Sequence, residues 1–127
     1  MKQQKFSYKK RLQSFGFAFN GLKILLREEH NARIHVVASV CAVFAGFLFD
    51  ISACEWLAVV FAVGFVIALE IVNSAIENMA DFVSPDRHDM IKKIKDLAAA
   101  GVLVSAITAI IIGLIVFLPK LLALCYK

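Results

Sequence analysis

The chain has 127 residues, of which 61% are hydrophobic, and it carries a formal net charge of +4. This length indicates one domain, and the apolar content is too high for an ordinary soluble domain of this size. A soluble bundle of buried helices would leave too little polar surface. The positive charge favours anionic lipid headgroups or a phosphate ligand over nucleic acid. We therefore expect an all-α integral membrane protein with three transmembrane helices and an N-terminal amphipathic surface helix.

The N-terminal region combines basic and apolar side chains. Residues 1–7 are polar and are expected to be disordered. An amphipathic helix is predicted over residues 8–29, because apolar residues recur at three- and four-residue steps from Leu12 to Leu26. The region lacks the apolar segment and cleavage site of a signal peptide. Basic amphipathic helices tend to lie in the membrane interface, and the pattern is compatible with a simple anchor or with part of an active site.

Three long apolar runs predict transmembrane helices over residues 33–50, 56–82 and 97–118. A transmembrane helix needs about 20 mostly apolar residues, and the first two runs reach that length when their polar ends are included. The connector over residues 50–55 has no Lys or Arg, whereas residues 81–96 contain Arg87, Lys92, Lys93 and Lys95. The positive-inside rule then places the N-terminus and the 81–96 connector in the cytoplasm and the C-terminus outside. The expected location is the cytoplasmic (inner) membrane.

The last predicted span has a turn before it and a proline after it. Residues 84–86, Ser-Pro-Asp, predict a turn, a short polar helical segment follows over residues 89–96, and Pro119 and Lys120 are expected to mark the outer end of the span. Small residues at four-residue spacing allow helices to approach closely in a bilayer, and this helix carries such a stripe: Gly101, Ser105, Ala109 and Gly113. Because three spans can hardly enclose a polar face, we expect this stripe or the second span to pack within an oligomer.

Glu70 lies near the end of an otherwise apolar run. An ionisable residue at membrane depth indicates a functional site. A helix turns by about 100° per residue, so one face carries four polar residues from the hydrocarbon to the water: Glu70, Asn73, Glu77 and Asp81. At 1.5 Å per residue, Glu70 lies about 21 Å from Trp56, short of the inner edge of a core about 30 Å thick. Glu70 can therefore meet a group carried by a lipid and act as a general base.

Glu77 lies about 10 Å beyond Glu70, at the level of the cytoplasmic headgroups. It is better placed to hold Mg²⁺, which prefers oxygen ligands and usually shares them with phosphates. Glu28 and Glu29 add carboxylates just before the first span. At the start of the third span, Lys95 can neutralise phosphate charge, and the neighbouring Asp96 can hold a lysine or a hydroxyl. No Walker loop or glycine-rich kinase loop is present, so a nucleotide site would be unusual.

The cysteines and histidines carry less information. The three cysteines show no paired spacing, and no Cys/His cluster resembles a zinc site; they are Cys41, Cys54 and Cys125. The histidines are scattered and are interpreted as polar interfacial residues rather than metal ligands: His30, His35 and His88.

Several motifs resemble one family. The run from Glu70 to Glu77, with sequence EIVNSAIE, is followed by Asp81, His88 and KDLAAA over residues 95–100. This arrangement resembles the signature of the prokaryotic diacylglycerol kinases, and three upstream stretches fit the same family: Gly16-Phe17, Asn20-Gly21-Leu22 and residues 29–35. The resemblance covers roughly residues 11–118. It implies a homotrimeric membrane kinase that transfers the γ-phosphate of MgATP to a lipid hydroxyl at sites shared between subunits.

The resemblance also implies residue roles. Glu70 would be the catalytic base, and Glu29 and Glu77 would hold Mg²⁺ while Asn73 and Asp81 orient these groups. The two metal-binding glutamates would bind the nucleotide together with Lys10, Phe17, Asp86, Arg87, His88, Lys95 and Asp96. The lipid would be bordered, in addition to Glu70, by Ser14, Phe15, Gly16, Phe19, Asn31, Ala32, Arg33, Ile34, His35 and Ala99. Lys10 or Arg11 can fill the basic position near the nucleotide, and Phe17 lacks the hydroxyl of the tyrosine that some members carry.

The acceptor divides the family, since some members phosphorylate diacylglycerol and others undecaprenol. The stretch from Asn31 to His35 resembles the undecaprenol-type members more closely, so undecaprenol is narrowly favoured, with diacylglycerol as the alternative. A hypothesis of another class is a small ion channel or transporter subunit, in which Glu70 and Glu77 would line an ion path. A pore would not need the Lys95-Asp96 pair or Glu29 at the cytoplasmic edge.

Overall fold

The chain folds into four α-helices in the computed structural model, which describes residues 5–126. These are α1 (Tyr8–Glu28), α2 (His30–Leu48), α3 (Ala53–Val83) and α4 (Asp89–Cys125). By length and composition, α2, α3 and α4 could each cross a membrane. α4 packs extensively along α3, whereas α2 packs on α3 over a shorter stretch and scarcely touches α4. α3 is therefore the centre of the fold, and all three other helices contact it.

α1 is the least buried helix. Leu25 is its only buried residue, and the apolar side chains from Leu12 to Leu26 are otherwise exposed. Part of the N-terminal segment 1–7, for which disorder was predicted, lies outside the described residues. The location of α1 in the membrane interface stays a prediction.

A single non-helical residue, Glu29, separates α1 from α2, with extended backbone angles (φ −106°, ψ 112°). The last carbonyls of a helix have no partner within the helix. Arg33 supplies one here, since its guanidinium donates to the carbonyl oxygens of Leu26, at 2.6 Å, and of Arg27. Next to it, Ala32 is completely buried. The resemblance places Arg33 at the lipid, whereas in this structure its donors fix the junction of α1 and α2.

The turn between α2 and α3 is tightly constrained. Asp50 adopts a left-handed conformation (φ 50°), and the Ile51 N–H donates to the Gly46 carbonyl at 3.1 Å. Gly46 has to be small, because a Cβ atom there would lie 2.6 Å from Cη2 of Trp56. Ser52 and Glu55 form a reciprocal capping box at the start of α3. The turn thus begins α3 with its backbone donors satisfied.

The start of α3 is also joined to α4. Ile51, Val59 and Val116 form a buried apolar cluster. Beside it, the Lys120 Nζ lies 2.8 Å from a Glu55 carboxylate oxygen, and both side chains are 28% exposed. This end of the fold therefore combines apolar packing with paired polar groups.

α4 is one continuous helix, and the polar segment over residues 89–96 is its first part. The expectation that Pro119 and Lys120 mark the outer end of the helix was wrong, because the helix runs on to Cys125 with Pro119 inside it. A proline removes one backbone donor, and apolar helices tolerate this loss when their neighbours compensate.

Within the described chain, only one residue of the small-residue stripe of α4 is buried. Ser105 is completely buried, and its hydroxyl donates to the Val102 carbonyl at 2.7 Å. A Cβ atom added at Gly101 or Gly113 would meet no heavy atom within 4 Å. The two glycines therefore border open space in this chain, and the packing of the stripe or of the second span within an oligomer stays a prediction.

Candidate active site

The buried face of α3 carries a carboxylate. Val66, Glu70 and Ser74 follow one another at four-residue steps and are all buried, with Glu70 only 2% exposed. Residues four apart lie one above the other on a helix, so this face turns toward the other helices of the bundle. A buried carboxylate is costly unless it is paired, which supports a functional reading of Glu70.

His35 approaches this carboxylate from α2. Its Nε2 lies 3.2 Å from Oε1 of Glu70, and its side chain is about a quarter exposed (24%). Within the described part of the chain, however, Oε1 of Glu70 accepts no well-formed hydrogen bond. The resemblance places His35 beside the lipid, and the structure adds that it contacts Glu70. An acceptor atom in the interior thus remains free to receive a proton donor.

Glu29 joins the same site from the break between α1 and α2. The Ser74 hydroxyl donates to Oε1 of Glu29 at 3.1 Å, across 45 positions of sequence. Ser74 was missed by the sequence reasoning, although it lies one turn after Glu70 on the same face. That spacing is the signal that could have identified it.

Two further oxygen-bearing side chains continue the site toward the C-terminal end of α3. Asn73 and Glu77 are half-buried, and Oδ1 of Asn73 is buried with no hydrogen-bond partner among residues 5–126. Glu29 is held by Ser74, one helical turn beyond Glu70, and Glu77 lies about two turns beyond Glu70 on α3. Oxygen donors from two separate elements therefore converge around Glu70.

These donors fit Mg²⁺. In the described chain, no three His, Cys, Asp or Glu side chains lie close enough together to hold a metal ion by themselves. Mg²⁺, however, is usually held by one or two carboxylates together with substrate phosphates and water. Glu29 and Glu77 supply two carboxylates, and the unpaired amide oxygen of Asn73 lies on the same face of α3.

An ion pair connects the C-terminal end of α3 with the N-terminal part of α4. Lys95 forms an ion pair with Asp81, and Lys92 lies 2.6 Å from Asp96 on α4 itself. A surface cavity of about 380 Å³ is lined by the first part of α4, including Lys92, Lys93 and Asp96. Cations and carboxylates thus alternate beside an open depression.

The loop before α4 carries three of the predicted nucleotide-binding residues. Ser84 donates to the Asp86 carbonyl at 3.1 Å, and His88 accepts a hydrogen bond from the Met90 N–H at 3.1 Å as the N-cap of α4. Arg87, between them, is exposed. His88 therefore begins the helix that carries Lys95 and Asp96.

Several other predicted site residues are exposed rather than buried beside Glu70. On α1 the Ser14 hydroxyl donates to the Lys10 carbonyl at 3.0 Å, within its own helix. The remaining predicted residues of α1 are all exposed: Phe15, Gly16, Phe17 and Phe19. The same holds for Asn31 and Ile34 on α2 and for Ala99 on α4. The three cysteines are exposed and free.

Comparisons with known proteins agree with one another. Residues 16–117 match the family described as prokaryotic diacylglycerol kinase. An undecaprenol kinase of Bacillus subtilis (strain 168) is 38% identical over 109 residues, covering 86% of this chain and 89% of that protein. A diacylglycerol kinase of Synechocystis is 34% identical over 114 residues, covering 89% of this chain and 65% of that protein. A diacylglycerol kinase of Escherichia coli (strain K12) is 30% identical over 100 residues, covering 79% and 82%.

Proposed function

The chain belongs to the prokaryotic diacylglycerol kinase family, and from this premise we propose that it transfers the γ-phosphate of ATP to the hydroxyl of a membrane lipid, with undecaprenol as the preferred acceptor. The observation that carries the proposal is Glu70, a carboxylate only 2% exposed on an apolar helix, with one oxygen unpaired in the described chain. The all-helical fold, the kinase class and the family are those that the sequence predicted.

Glu70 acts as the general base in this proposal. It takes the proton from the lipid hydroxyl while the lipid oxygen forms a bond to the γ-phosphorus. The bond from that phosphorus to its bridging oxygen breaks, and ADP leaves. Support comes from the free acceptor atom Oε1 and from His35, which is near enough to restrain the carboxylate. Phosphoryl transfer depends mostly on positioning and charge neutralisation, so a fixed carboxylate suits it.

Glu29 and Glu77 would hold Mg²⁺ with the ATP phosphates. A bound Mg²⁺ neutralises charge that develops on the transferred phosphoryl group. The hydroxyl of Ser74 holds one oxygen of Glu29 at 3.1 Å, which leaves the other oxygen of that carboxylate for binding. Asn73 and Asp81 orient the site, Asn73 through its buried amide and Asp81 through its ion pair with Lys95.

The nucleotide would lie at the cytoplasmic end, beside Lys95, Asp96 and the loop over residues 86–88. The lysines on the first part of α4, which line the surface cavity there, support this location. Lys10 and Phe17 are exposed on α1, and a homotrimer with shared sites would let α1 of one subunit complete the nucleotide site of its neighbour. We propose such a trimer in the inner membrane, with α1 in the cytoplasmic interface and the C-terminus outside.

Undecaprenol is proposed as the acceptor on two grounds. The stretch from Asn31 to His35 resembles undecaprenol-type members, and the relative named undecaprenol kinase is 38% identical, against 34% and 30% for the two named diacylglycerol kinases. Diacylglycerol presents its hydroxyl beside two esters, so the choice depends on polar contacts, each worth about 1–3 kcal/mol when lost from a buried site.

A side-by-side assay tests the proposal. Purified protein in mixed micelles receives radiolabelled ATP and either undecaprenol or diacylglycerol. We expect a higher kcat/KM for undecaprenol with some activity on diacylglycerol. A preference for diacylglycerol of about tenfold, equivalent to about 1.4 kcal/mol, would reverse the choice of acceptor. Ion conduction in liposomes without lipid phosphorylation would overturn the kinase assignment.

A further inference from the structure

The carboxylate of Glu70 is enclosed by protein on nearly every side. Its side chain is 2% exposed, and Val66 and Ser74, one turn before and one turn after it on the same face of α3, are also buried. A base that takes a proton from the lipid hydroxyl has to lose that proton before the next turnover. Water has little direct access to this side chain. Proton release therefore calls for a neighbouring group that contacts Glu70 and is itself accessible.

His35 of α2 has both properties. Its Nε2 lies 3.2 Å from Oε1 of Glu70, and its side chain is 24% exposed. Oε1 accepts no well-formed hydrogen bond within the described chain, so the two atoms are within reach of each other without being locked together. Imidazole is suited to shuttling protons near neutral pH, because it takes up a proton on one ring nitrogen and can release one from the other.

The two nearby carboxylates suit this role less well. Glu29 enters from the junction of α1 and α2 and accepts a hydrogen bond from Ser74, one turn beyond Glu70, while Glu77 lies about two turns beyond Glu70 on α3. Both are proposed to hold Mg²⁺, and ligands have to be deprotonated to bind a metal. A proton passed to either carboxylate would therefore compete with the metal.

Among residues 5–126, Glu70 makes its one ion-pair contact with His35. On α2, His30 is exposed, and the guanidinium of Arg33 donates to carbonyl oxygens at the end of α1. The charged side chains of α1 are exposed as well. α4 has no charged side chain or histidine over residues 97–119. The helices packed on α3 thus offer His35 as the titratable partner of Glu70.

The start of α2 offers an exposed polar path from His35. Asn31 lies one turn before His35 on the same face of the helix, and its side chain is exposed. This end of α2 is also the end predicted to face the cytoplasm. A proton that reaches the ring of His35 can therefore leave toward water without crossing the apolar part of the bundle.

We propose that His35 relays the proton of each turnover from Glu70 to water. The O–H bond of protonated Glu70 breaks as an N–H bond forms at Nε2 of His35, and the imidazolium then gives the proton on Nδ1 to water. Glu70 is left as a carboxylate and His35 as a neutral ring, which regains its first tautomer by exchange with water. The relay rests on the proposed function and deepens it, since it adds the step that restores the base.

The experiment measures kcat of His35→Ala at saturating ATP and lipid, at fixed pH and ionic strength, with and without added imidazole. We expect kcat to fall by about tenfold or more while KM for the lipid changes little. Proton transfer by a positioned side chain contributes about 10²–10⁴-fold, and water replaces part of it here. Free imidazole should enter the space left by the ring and restore kcat in proportion to its concentration, which a purely structural role of His35 would not produce.

His30→Gln is the matched control, because it removes an exposed histidine of the same helix. It should keep the wild-type kcat and show no response to imidazole. A normal kcat for His35→Ala would overturn the relay, and so would a loss that imidazole does not restore in the folded variant. Failure of the proposed function is distinct, because the wild-type protein would then phosphorylate no lipid alcohol with or without imidazole.

His35→Gln provides a second measurement that does not depend on an emptied site, for the case in which His35→Ala fails to fold by circular dichroism. Its amide cannot carry the proton, so proton release should limit turnover. The solvent deuterium isotope effect on kcat should then be larger for His35→Gln than for the wild type. An equal isotope effect in the two proteins would overturn the relay.

Discussion

The start and the middle of α3 differ in how completely their polar groups are paired. At the start, Glu55 forms a capping box with Ser52 and an ion pair with Lys120. In the middle, Glu70 and Asn73 each keep a buried oxygen without a hydrogen bond in the described chain. An unpaired buried acceptor costs about 1–3 kcal/mol. The difference teaches that the polar groups at the start of α3 stabilise the fold, while those in the middle retain acceptors that can bind a donor.

The comparison is tested most strongly by the same substitution at both positions of α3. Glu70→Gln should lower turnover by about 10²–10⁴-fold, because an amide cannot accept the proton of the lipid hydroxyl. Glu55→Gln should leave turnover near normal and lower the free energy of unfolding only slightly, because exposed ion pairs contribute little to stability. Phosphate incorporation into lipid and thermal unfolding in detergent measure the two effects. Near-normal turnover of Glu70→Gln would refute its role as base.

A smaller effect is expected at Glu77. Glu77→Gln should raise the Mg²⁺ concentration for half-maximal activity by about tenfold or more, since loss of groups at a metal site weakens binding by about that factor. A magnesium titration of kcat at saturating ATP measures it, with Glu55→Gln as the control carboxylate. An unchanged titration for Glu77→Gln would count against metal binding by this residue.

The smallest effect is expected at Ser74, which is compared with a second buried serine, Ser105. Ser74→Ala removes the donor to Glu29 and should lower kcat/KM by about tenfold, because a hydrogen bond to a charged group is worth about 1.5–3 kcal/mol and other contacts partly replace it. Ser105→Ala is the control, as Ser105 is also buried but donates only to the Val102 carbonyl of its own helix. Equal losses in the two variants would show that Ser74 acts through packing alone.

Local periodicity predicted the part of the site that lies on one helix. Glu70, Asn73 and Glu77 share a face because a helix turns by about 100° per residue, and the structure has this helix as α3. The kinase family was identified from the same motifs and is confirmed.

Contacts between elements were not predictable in this way. The Ser74–Glu29 hydrogen bond joins residues 45 positions apart, and the approach of His35 to Glu70 depends on how α2 packs on α3. The hydrogen bonds of Arg33 to the carbonyl oxygens at the end of α1 were not predicted either, and its place beside the lipid stays a prediction. The predicted end of α4 was wrong because the position of Pro119 in the sequence does not show whether neighbouring groups compensate for its missing backbone N–H donor. Spacing within a helix is local, whereas these outcomes depend on tertiary packing.

The one-residue junction between α1 and α2 leaves no flexible linker between α1 and the interior of the bundle. Glu29 is the only residue between the two helices, and its carboxylate reaches Ser74. The guanidinium of Arg33 joins the end of α1 to the start of α2. The orientation of α1 is therefore fixed by the same residue that places an oxygen one helical turn from Glu70.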